Sequence, residues 1–183
     1  MKDLSIWDNF VTEGRMIEVL FAQVIGMYGE VTPADEKQDR YEHWDVKLVP
    51  DHPDCPLVIM YNDKKFVTFD VKSLKHVKRN DGEEVDEKQH YIELKNIFGN
   101  RGWLYGMADY IVFEKFDSWV IVDRLKLIDF INIYLVNPKY CFKQPMLYAI
   151  YTRENRQDEI MLVETTKLEE ISTLILKKKL NNV

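Results

Sequence analysis

Apolar residues recur at helical spacing near the start of the chain. They share one face of a helix predicted from about Asp8 to Tyr28, at positions Ile17, Leu20, Phe21, Val24, Ile25 and Tyr28. Gly29 is suited to end this helix. The stretch that follows, through Glu42, contains Pro33 and many charges, which indicates a loop or a short, weak element.

The pattern then changes to the alternation of β-strands. His43 to Val49 is predicted to be a strand, and the turn-rich sequence PDHPDCP ends it. Leu57 to Tyr61 and Phe66 to Lys72 are predicted to form a hairpin across the turn residues between them. The same criteria predict later strands at Tyr91 to Lys95, Asp109 to Glu114, Trp119 to Asp123, Met146 to Thr152 and Glu159 to Glu164.

Helical spacing returns in two later segments. Arg124 to Tyr134 is predicted to be the second helix. A third helix is predicted to start with the capping-box spacing Thr166 to Glu169 and to run to about Leu180. The order of elements predicts an α/β (α+β) fold, in which helices flank a central mixed β-sheet within a single domain over residues 1–183.

Composition narrows the class of protein. Hydrophobic residues make up 46% of the chain and charged residues 31%, which is typical of an ordered globular domain. No apolar stretch approaches the roughly 18 residues of a membrane span, and the first ten residues lack the apolar block of a signal peptide. We therefore expect no membrane partner and a cytoplasmic location, in the host cytoplasm if a phage encodes the chain. Cys55 and Cys141 lack the spacing of a zinc site, which indicates ordinary thiols.

The net charge of −6 disfavours nucleic-acid binding through bulk positive charge. Phosphate contacts depend on the local patch, however, and bound cations neutralise nearby carboxylates. A nucleic-acid partner is therefore compatible with the charge only if lysines and arginines are locally concentrated.

The segment most suited to chemistry is Asp70-Val71-Lys72. Strand alternation places Asp70 and Lys72 on one face and Val71 on the other. A carboxylate there can bind a divalent cation, and a lysine two residues later can position a water and balance charge on a phosphate. Hydrolysis of a phosphodiester bond requires both functions.

Two further acids are candidates for the same site. Asp45 supplies a second carboxylate if its strand lies beside the strand of Asp70, because magnesium is held better by two carboxylates than by one. Glu18 shares its helical face with apolar and small residues, so it needs a partner, a metal or a water. The alternative is that Glu18 lies at the edge of that face and extends into solvent.

This order of elements resembles the PD-(D/E)XK (restriction-endonuclease-like) nuclease superfamily, in particular its branch of Holliday-junction resolvases and phage-encoded endonucleases. In that family the first acid comes from an N-terminal helix, the next from the second core strand, and the acid-x-lysine pair from the third. The resemblance covers about the first half of the chain. It implies that Glu18, Asp45 and Asp70 coordinate Mg²⁺ or Mn²⁺ or its waters, and that Lys72 is the catalytic lysine.

Other assignments of the acids stay open. Asp45-Val46-Lys47 and Glu93-Leu94-Lys95 also match the acid-x-lysine pattern, so Glu93 could be an additional acid or belong to the true triplet, with Asp70 upstream. The Pro-Asp pairs of the chain lie in the turn-rich segment, and Asp54 is a fallback for Asp45.

Basic and aromatic residues near the triplet are candidates for nucleic-acid contacts. Lys75, Lys78 and Arg79 form a basic cluster directly after Lys72, for which a solvated loop is an equal alternative. The glycine-rich stretch from Asn96 to Asp109 carries Arg101 and Trp103, which could touch phosphate and bases. The alternative is a glycine-hinged loop that packs Trp103 into the core.

Taken together, these residues predict an endodeoxyribonuclease that depends on Mg²⁺ or Mn²⁺, a junction resolvase or a phage endonuclease, with DNA as its partner. The resemblance also implies a homodimer that cuts two strands. One alternative is a catalytically inactive module of the same fold that binds nucleic acid or a protein partner. Another is an unrelated α+β binding protein in which the carboxylates are scattered.

Overall fold

The computed structural model describes residues 15–51, 55–57, 65–74 and 86–178. Within these ranges the chain forms a mixed α+β structure with two β-sheets. The elements in chain order are α1 (Met16–Ile25), β1 (Gly29–Pro33), β2 (Val46–Pro50), β3 (Val67–Lys72), β4 (Gln89–Lys95), β5 (Tyr110–Glu114), β6 (Ser118–Asp123), α2 (Arg124–Leu135), β7 (Tyr140–Cys141), β8 (Ile150–Tyr151), β9 (Glu159–Glu164), α3 (Thr165–Ile171) and β10 (Leu174–Lys177). None of the described helices combines the length and the apolar character needed to cross a bilayer.

The larger sheet contains six strands in the order β1-β2-β3-β5-β6-β10. Its neighbouring strands are antiparallel except for β3 and β5, which are parallel. The expected mixed sheet with helices packed on it is therefore present.

A second sheet, which the sequence did not predict, contains four strands in the order β4-β9-β8-β7. Its main pairing joins β4 to β9 in antiparallel register, with Tyr91 opposite Leu162. Strand periodicity reveals which face of a strand is buried but not which strand is its neighbour, so a single sheet was the simplest expectation.

Alternation along the strands of the larger sheet produces a hydrophobic core on each face. Phe69 and Val71 belong to the core under α1, whereas Ile111 and Phe113 belong to the core that the second sheet and the two later helices cover. Phe21 of α1 contacts Phe69 with 5.3 Å between ring centroids. The successive residues of β3 therefore face different layers of the protein.

The first helix is shorter at its C-terminal end than predicted. It ends at Ile25, and Gly29 begins strand β1 instead of stopping the helix. A Cβ on Gly29 would lie 2.1 Å from the backbone oxygen of Val49, so only glycine permits the close approach of β1 to β2. The segment through Glu42, predicted to be a loop or weak element, contains β1 and a π-helical turn at Gln38–Glu42.

The predicted third helix is wrong in its extent. Helix α3 spans only Thr165–Ile171, and the following residues form β10 at the edge of the larger sheet. Lys177 and Lys178 therefore do not close a helix, and they form ion pairs with Asp117 and Glu114. A short apolar run such as Leu174–Lys177 suits a helix and a strand equally well until its neighbours are known.

Two further predictions are wrong: the strand predicted from His43 to Val49 begins only at Val46, and β3 pairs with β2 and β5 instead of in the predicted hairpin. Several other predicted elements are confirmed. Strands β3, β4, β5, β6 and β9 and helix α2 lie at the predicted places within two residues at either end. The predicted strand from Met146 to Thr152 is reduced to Ile150–Tyr151, and strand Tyr140–Cys141 was missed. Residues 58–61 of the predicted hairpin lie outside the described residues.

Candidate functional site

Asp45 and Asp70 lie side by side on neighbouring strands. Asp45 directly precedes β2, and the antiparallel pairing of β2 with β3 begins with Val46 opposite Phe69. The backbone N–H of Asp45 donates to the Phe69 carbonyl at 2.8 Å, which ties Asp45 to the residue before Asp70. The two carboxyl groups are close enough to share a hydrogen bond and to shift each other's pKa. The sequence-based expectation that these two carboxylates are neighbours is therefore met.

Hydrogen bonds fix both carboxylates on the strands. The backbone N–H of Val71 donates to Oδ2 of Asp45 at 2.6 Å. Nζ of Lys72 lies 2.5 Å from Oδ1 of Asp70, whose residue is only 2% exposed. The second oxygen of Asp70 is buried and has no hydrogen-bond partner among the described residues. A buried carboxylate oxygen without a donor is costly and favours the arrival of a cation or a proton.

The electrostatics of the pair show the same deficit of positive charge. Burial, followed by the neighbouring Asp70 carboxylate, raises the pKa of Asp45 to about 8. Burial also raises the pKa of Asp70, although the Lys72 ammonium acts in the opposite direction. Without a further cation, ionisation of both carboxyl groups is therefore unfavourable at neutral pH.

Glu18 joins this cluster from helix α1. Phe21, one turn later on the same helix, anchors α1 against Phe69 beside Asp70. Burial is the largest cause that raises the pKa of Glu18 to about 8, and the charge of Asp45 adds to it. The structure therefore places Glu18 within electrostatic range of Asp45, as predicted for the apolar face of the helix.

Two residues near Glu18 were not identified from the sequence. Arg15 forms an ion pair with Asp39 at 2.6 Å, and both charges act on the pKa of Glu18 in opposite directions. Asp39 lies in the π-helical turn, within a segment that the sequence indicated only as loop or weak structure. No periodicity signalled this contact, because the two residues are 24 positions apart.

The indole ring of Trp103 contacts the Lys72 side chain. The Lys72 ammonium is 4.6 Å from the centroid of the indole ring, a favourable cation–π distance. Gly102 allows this arrangement because a Cβ there would lie 2.3 Å from the backbone oxygen of Glu93. Trp103 itself is buried in the core, as the packing alternative for the glycine-rich stretch proposed, and also touches the lysine.

Glu93 and Arg101 lie outside this cluster. Glu93 is on β4, in the second sheet, and pairs across to Ile160 of β9. Lys95, two residues later, forms an ion pair with Glu159. Arg101 is exposed at the turn that follows β4. Asp54, Lys75, Lys78 and Arg79 lie outside the described residues.

No family model matches the chain, and no match is found among curated proteins or among solved structures. The chemistry of the site therefore has to be argued from its own residues.

The carboxylates fit a small, hard cation with a limited number of protein ligands. Across the described ranges, no group of three or more His, Cys, Asp or Glu side chains is arranged to hold a metal ion. Mg²⁺ is commonly held by one or two carboxylates, with waters and substrate phosphates at its remaining positions. Asp45 and the partnerless oxygen of Asp70 match that donor set.

The raised carboxyl pKa values predict an unusual pH dependence of stability. The folded protein holds protons on Glu18 and Asp45 that the unfolded chain releases above their ordinary pKa values of 4.5 and 3.8. The stabilisation of the folded state by these bound protons is fully present below those values and is lost as the pH rises through about 8. Burial lowers the pKa of His90 to about 4. Its effect on the free energy of unfolding has the opposite sign and is confined to pH values below its ordinary pKa of 6.5.

The window above pH 6.5 therefore reports on the buried carboxyls of Glu18, Asp45 and Asp70 rather than on His90. In EDTA, we expect the free energy of unfolding to fall by roughly 2 kcal/mol between pH 6.5 and 8.5. Urea denaturation at several pH values measures it, and Asp45→Asn should remove a large part of the slope. A profile that is flat or rises with pH in this window would contradict the electrostatic description of the site.

Proposed function

We propose that the protein is a magnesium- or manganese-dependent endodeoxyribonuclease of the PD-(D/E)XK type, with a restriction-endonuclease-like fold. The observation that carries this proposal is the proximity of Asp45, Asp70 and Lys72 at one end of strands β2 and β3, with Glu18 close enough to Asp45 and Lys72 to interact electrostatically. The raised carboxyl pKa values and the partnerless oxygen of Asp70 are features that a bound cation would relieve.

The order of elements supports the proposed family. Glu18 lies on the helix that precedes the sheet, Asp45 directly precedes the second strand, and Asp70 and Lys72 lie on the third. This is the order of helix acid, second-strand acid and third-strand acid-x-lysine that the resemblance implies. The long interval between Asp45 and Asp70 is an insertion relative to compact resolvases.

The residues of the cluster divide the chemistry of hydrolysis among them. Asp45 and Asp70 would hold the divalent cation, which neutralises phosphate charge and makes a water easier to deprotonate. Burial raises the pKa of Glu18 to about 8, and a cation held by Asp45 and Asp70 would favour its ionised form, which would then accept the proton of the attacking water. Lys72 can donate to a phosphate oxygen as the water oxygen bonds to phosphorus and the bond to the leaving sugar oxygen breaks.

Lys72 would have to exchange partners during this reaction. In the absence of substrate its ammonium lies against Oδ1 of Asp70. A cation on the two carboxylates would satisfy Asp70, leaving Lys72 free to turn towards a phosphate beside the Trp103 ring. The negative net charge of −6 is then offset at the site itself, where substrate binds.

A cleavage assay tests the proposal. Linear duplex, branched and single-stranded DNA should be incubated with the protein in Mg²⁺, in Mn²⁺ and in EDTA. We expect internal cuts with either metal and none in EDTA, and a homodimer should cut both strands of a branched substrate. Intact DNA of all three kinds in both metals would contradict an active nuclease.

One observation favours a second function, that of a catalytically inactive module that binds nucleic acid or a protein partner. Within the described part of the chain only two carboxylates pair closely at the site, and Lys72 already occupies one oxygen of Asp70. Such a module would bind DNA in a mobility-shift assay with equal affinity in Mg²⁺ and EDTA, and would leave it uncut. Metal-dependent cleavage would rule it out.

A further inference from the structure

A cavity of about 370 Å³ opens beside the catalytic lysine. Lys72 and Ser73 at the end of β3 form one wall, and β4 of the second sheet forms another. Because β4 is the edge strand of that sheet, residues from both of its faces, His90 and Tyr91, reach the cavity. The cavity therefore lies where the two sheets meet, directly next to the proposed reaction centre.

The volume of the cavity limits what it can hold. Binding sites for small organic molecules usually enclose about 300 to 1,000 Å³, so this one lies near the lower end of that range. It is too small for a segment of duplex and of the right order for one nucleoside. Any group of a nucleic acid that enters it must be displaced from the helical stack.

The walls combine aromatic surface with polar and cationic groups. Trp103 and Tyr91 supply aromatic rings, and Gln89 and Gln144 supply amide donors and acceptors. Lys143 adds a second ammonium to that of Lys72, against the single carboxylate of Asp86. One oxygen of Asp86 already accepts a hydrogen bond from the backbone of Lys88. This surface matches a planar, polar ring attached to an anionic group.

His90 strengthens this match. The residue is 4% exposed, and its Nε2 atom has no hydrogen-bond partner among the described residues. Burial, followed by the charge of Lys115, lowers its pKa to about 4, so the ring is neutral at physiological pH. A buried, neutral imidazole can donate or accept a single hydrogen bond, as recognition of a base edge requires.

We propose that this cavity binds one unstacked nucleobase of the DNA substrate, next to the phosphate held at Lys72. The inference rests on the proposed nuclease function for the identity of the substrate. It adds that the substrate carries an unpaired nucleotide beside the cut, as in single strands, branch points or a flipped base. Trp103 then has two roles, since it supports Lys72 and forms a wall of the base site.

Nucleotide binding without metal tests this inference separately from cleavage. The chain has 4 tryptophans, so the indole N–H signals in a nitrogen–proton NMR spectrum are few, and Trp103→Phe assigns the one of interest. Titration with deoxyadenosine 5′-monophosphate in EDTA should shift the Trp103 signal. Deoxyribose 5-phosphate, which has no base, should bind at least about tenfold more weakly, because it lacks the stacking ring.

Exposed lining residues provide the variants. Lys143→Ala should weaken binding of the mononucleotide about tenfold, and Gln144→Ala should weaken it to a smaller extent. Lys139→Ala is the matched control, since Lys139 is equally exposed and does not line the cavity. No shift of Trp103 at millimolar nucleotide, or equal binding of deoxyribose 5-phosphate, overturns the inference even if the protein cleaves DNA. Nucleotide binding without cleavage instead retains the base site and overturns the nuclease.

Discussion

Replacing Lys72 by methionine should lower metal-dependent DNA cleavage about 10²- to 10⁴-fold, the range typical for a group that assists proton transfer or charge development. Methionine keeps most of the length of the side chain but removes the ammonium, which lies 2.5 Å from Asp70 and 4.6 Å from the indole centroid. Single-turnover cleavage of the best substrate in Mg²⁺ measures the loss.

Lys47→Met is the matched control for that experiment. Lys47 also lies on a strand of the larger sheet and places its ammonium over an aromatic ring, 5.8 Å from the centroid of Phe66. It is not among the charges that shift the carboxyl pKa values of Asp45 and Asp70. We expect its cleavage rate to stay within about threefold of wild type. Equal rates for Lys72→Met and wild type would remove Lys72 from the mechanism.

Asp45→Asn should abolish function and stabilise the fold at the same time. The amide oxygen of asparagine can still accept the hydrogen bond from the Val71 N–H, so the local structure is preserved. The variant loses a proposed cation ligand, and cleavage should fall by at least about 10²-fold. It also removes the repulsion between Asp45 and Asp70.

The stabilisation should be about 2 kcal/mol at pH 8 in EDTA, or roughly 4–8 °C in Tm. This value is well below the free energy that corresponds to the whole pKa shift, because Asp45 keeps some contact with solvent. Asp109→Asn is the control, since Asp109 is a buried carboxylate that accepts from Thr68 at the other end of β3. It should gain no stability and keep its activity. An Asp45→Asn protein that is less stable than wild type would contradict a strained carboxylate pair.

The meeting of Asp45, Asp70 and Lys72 was predictable because each step depends on local pattern. Alternation in FVTFDVK placed Asp70 and Lys72 on one face, and two strands close in sequence were the simplest partners. Glu18 followed from helical periodicity, which put a carboxylate among apolar neighbours. These periodicity signals span about eight residues or fewer, whereas the adjacency of Asp45 and Asp70 was only a condition that periodicity could not establish.

Long-range pairings could not be predicted in this way. Strand β4 pairs with β9 some 70 residues later, and no sequence feature of either strand identifies the other as its partner. The contact between Lys72 and Trp103 depends on the turn at Gly102, which in turn depends on how β4 is placed. The sequence therefore suggested Trp103 as a contact for bases or as core, and could not relate it to Lys72.

The central claim, that Asp45 and Asp70 hold a divalent cation, is tested most directly by a crystal soaked with Mn²⁺. The account predicts an anomalous difference peak about 2.2 Å from one oxygen of each carboxylate, with Lys72 displaced from Asp70. A soaked crystal with no peak at this position, and with Lys72 still paired to Asp70 as in the metal-free protein, would contradict it.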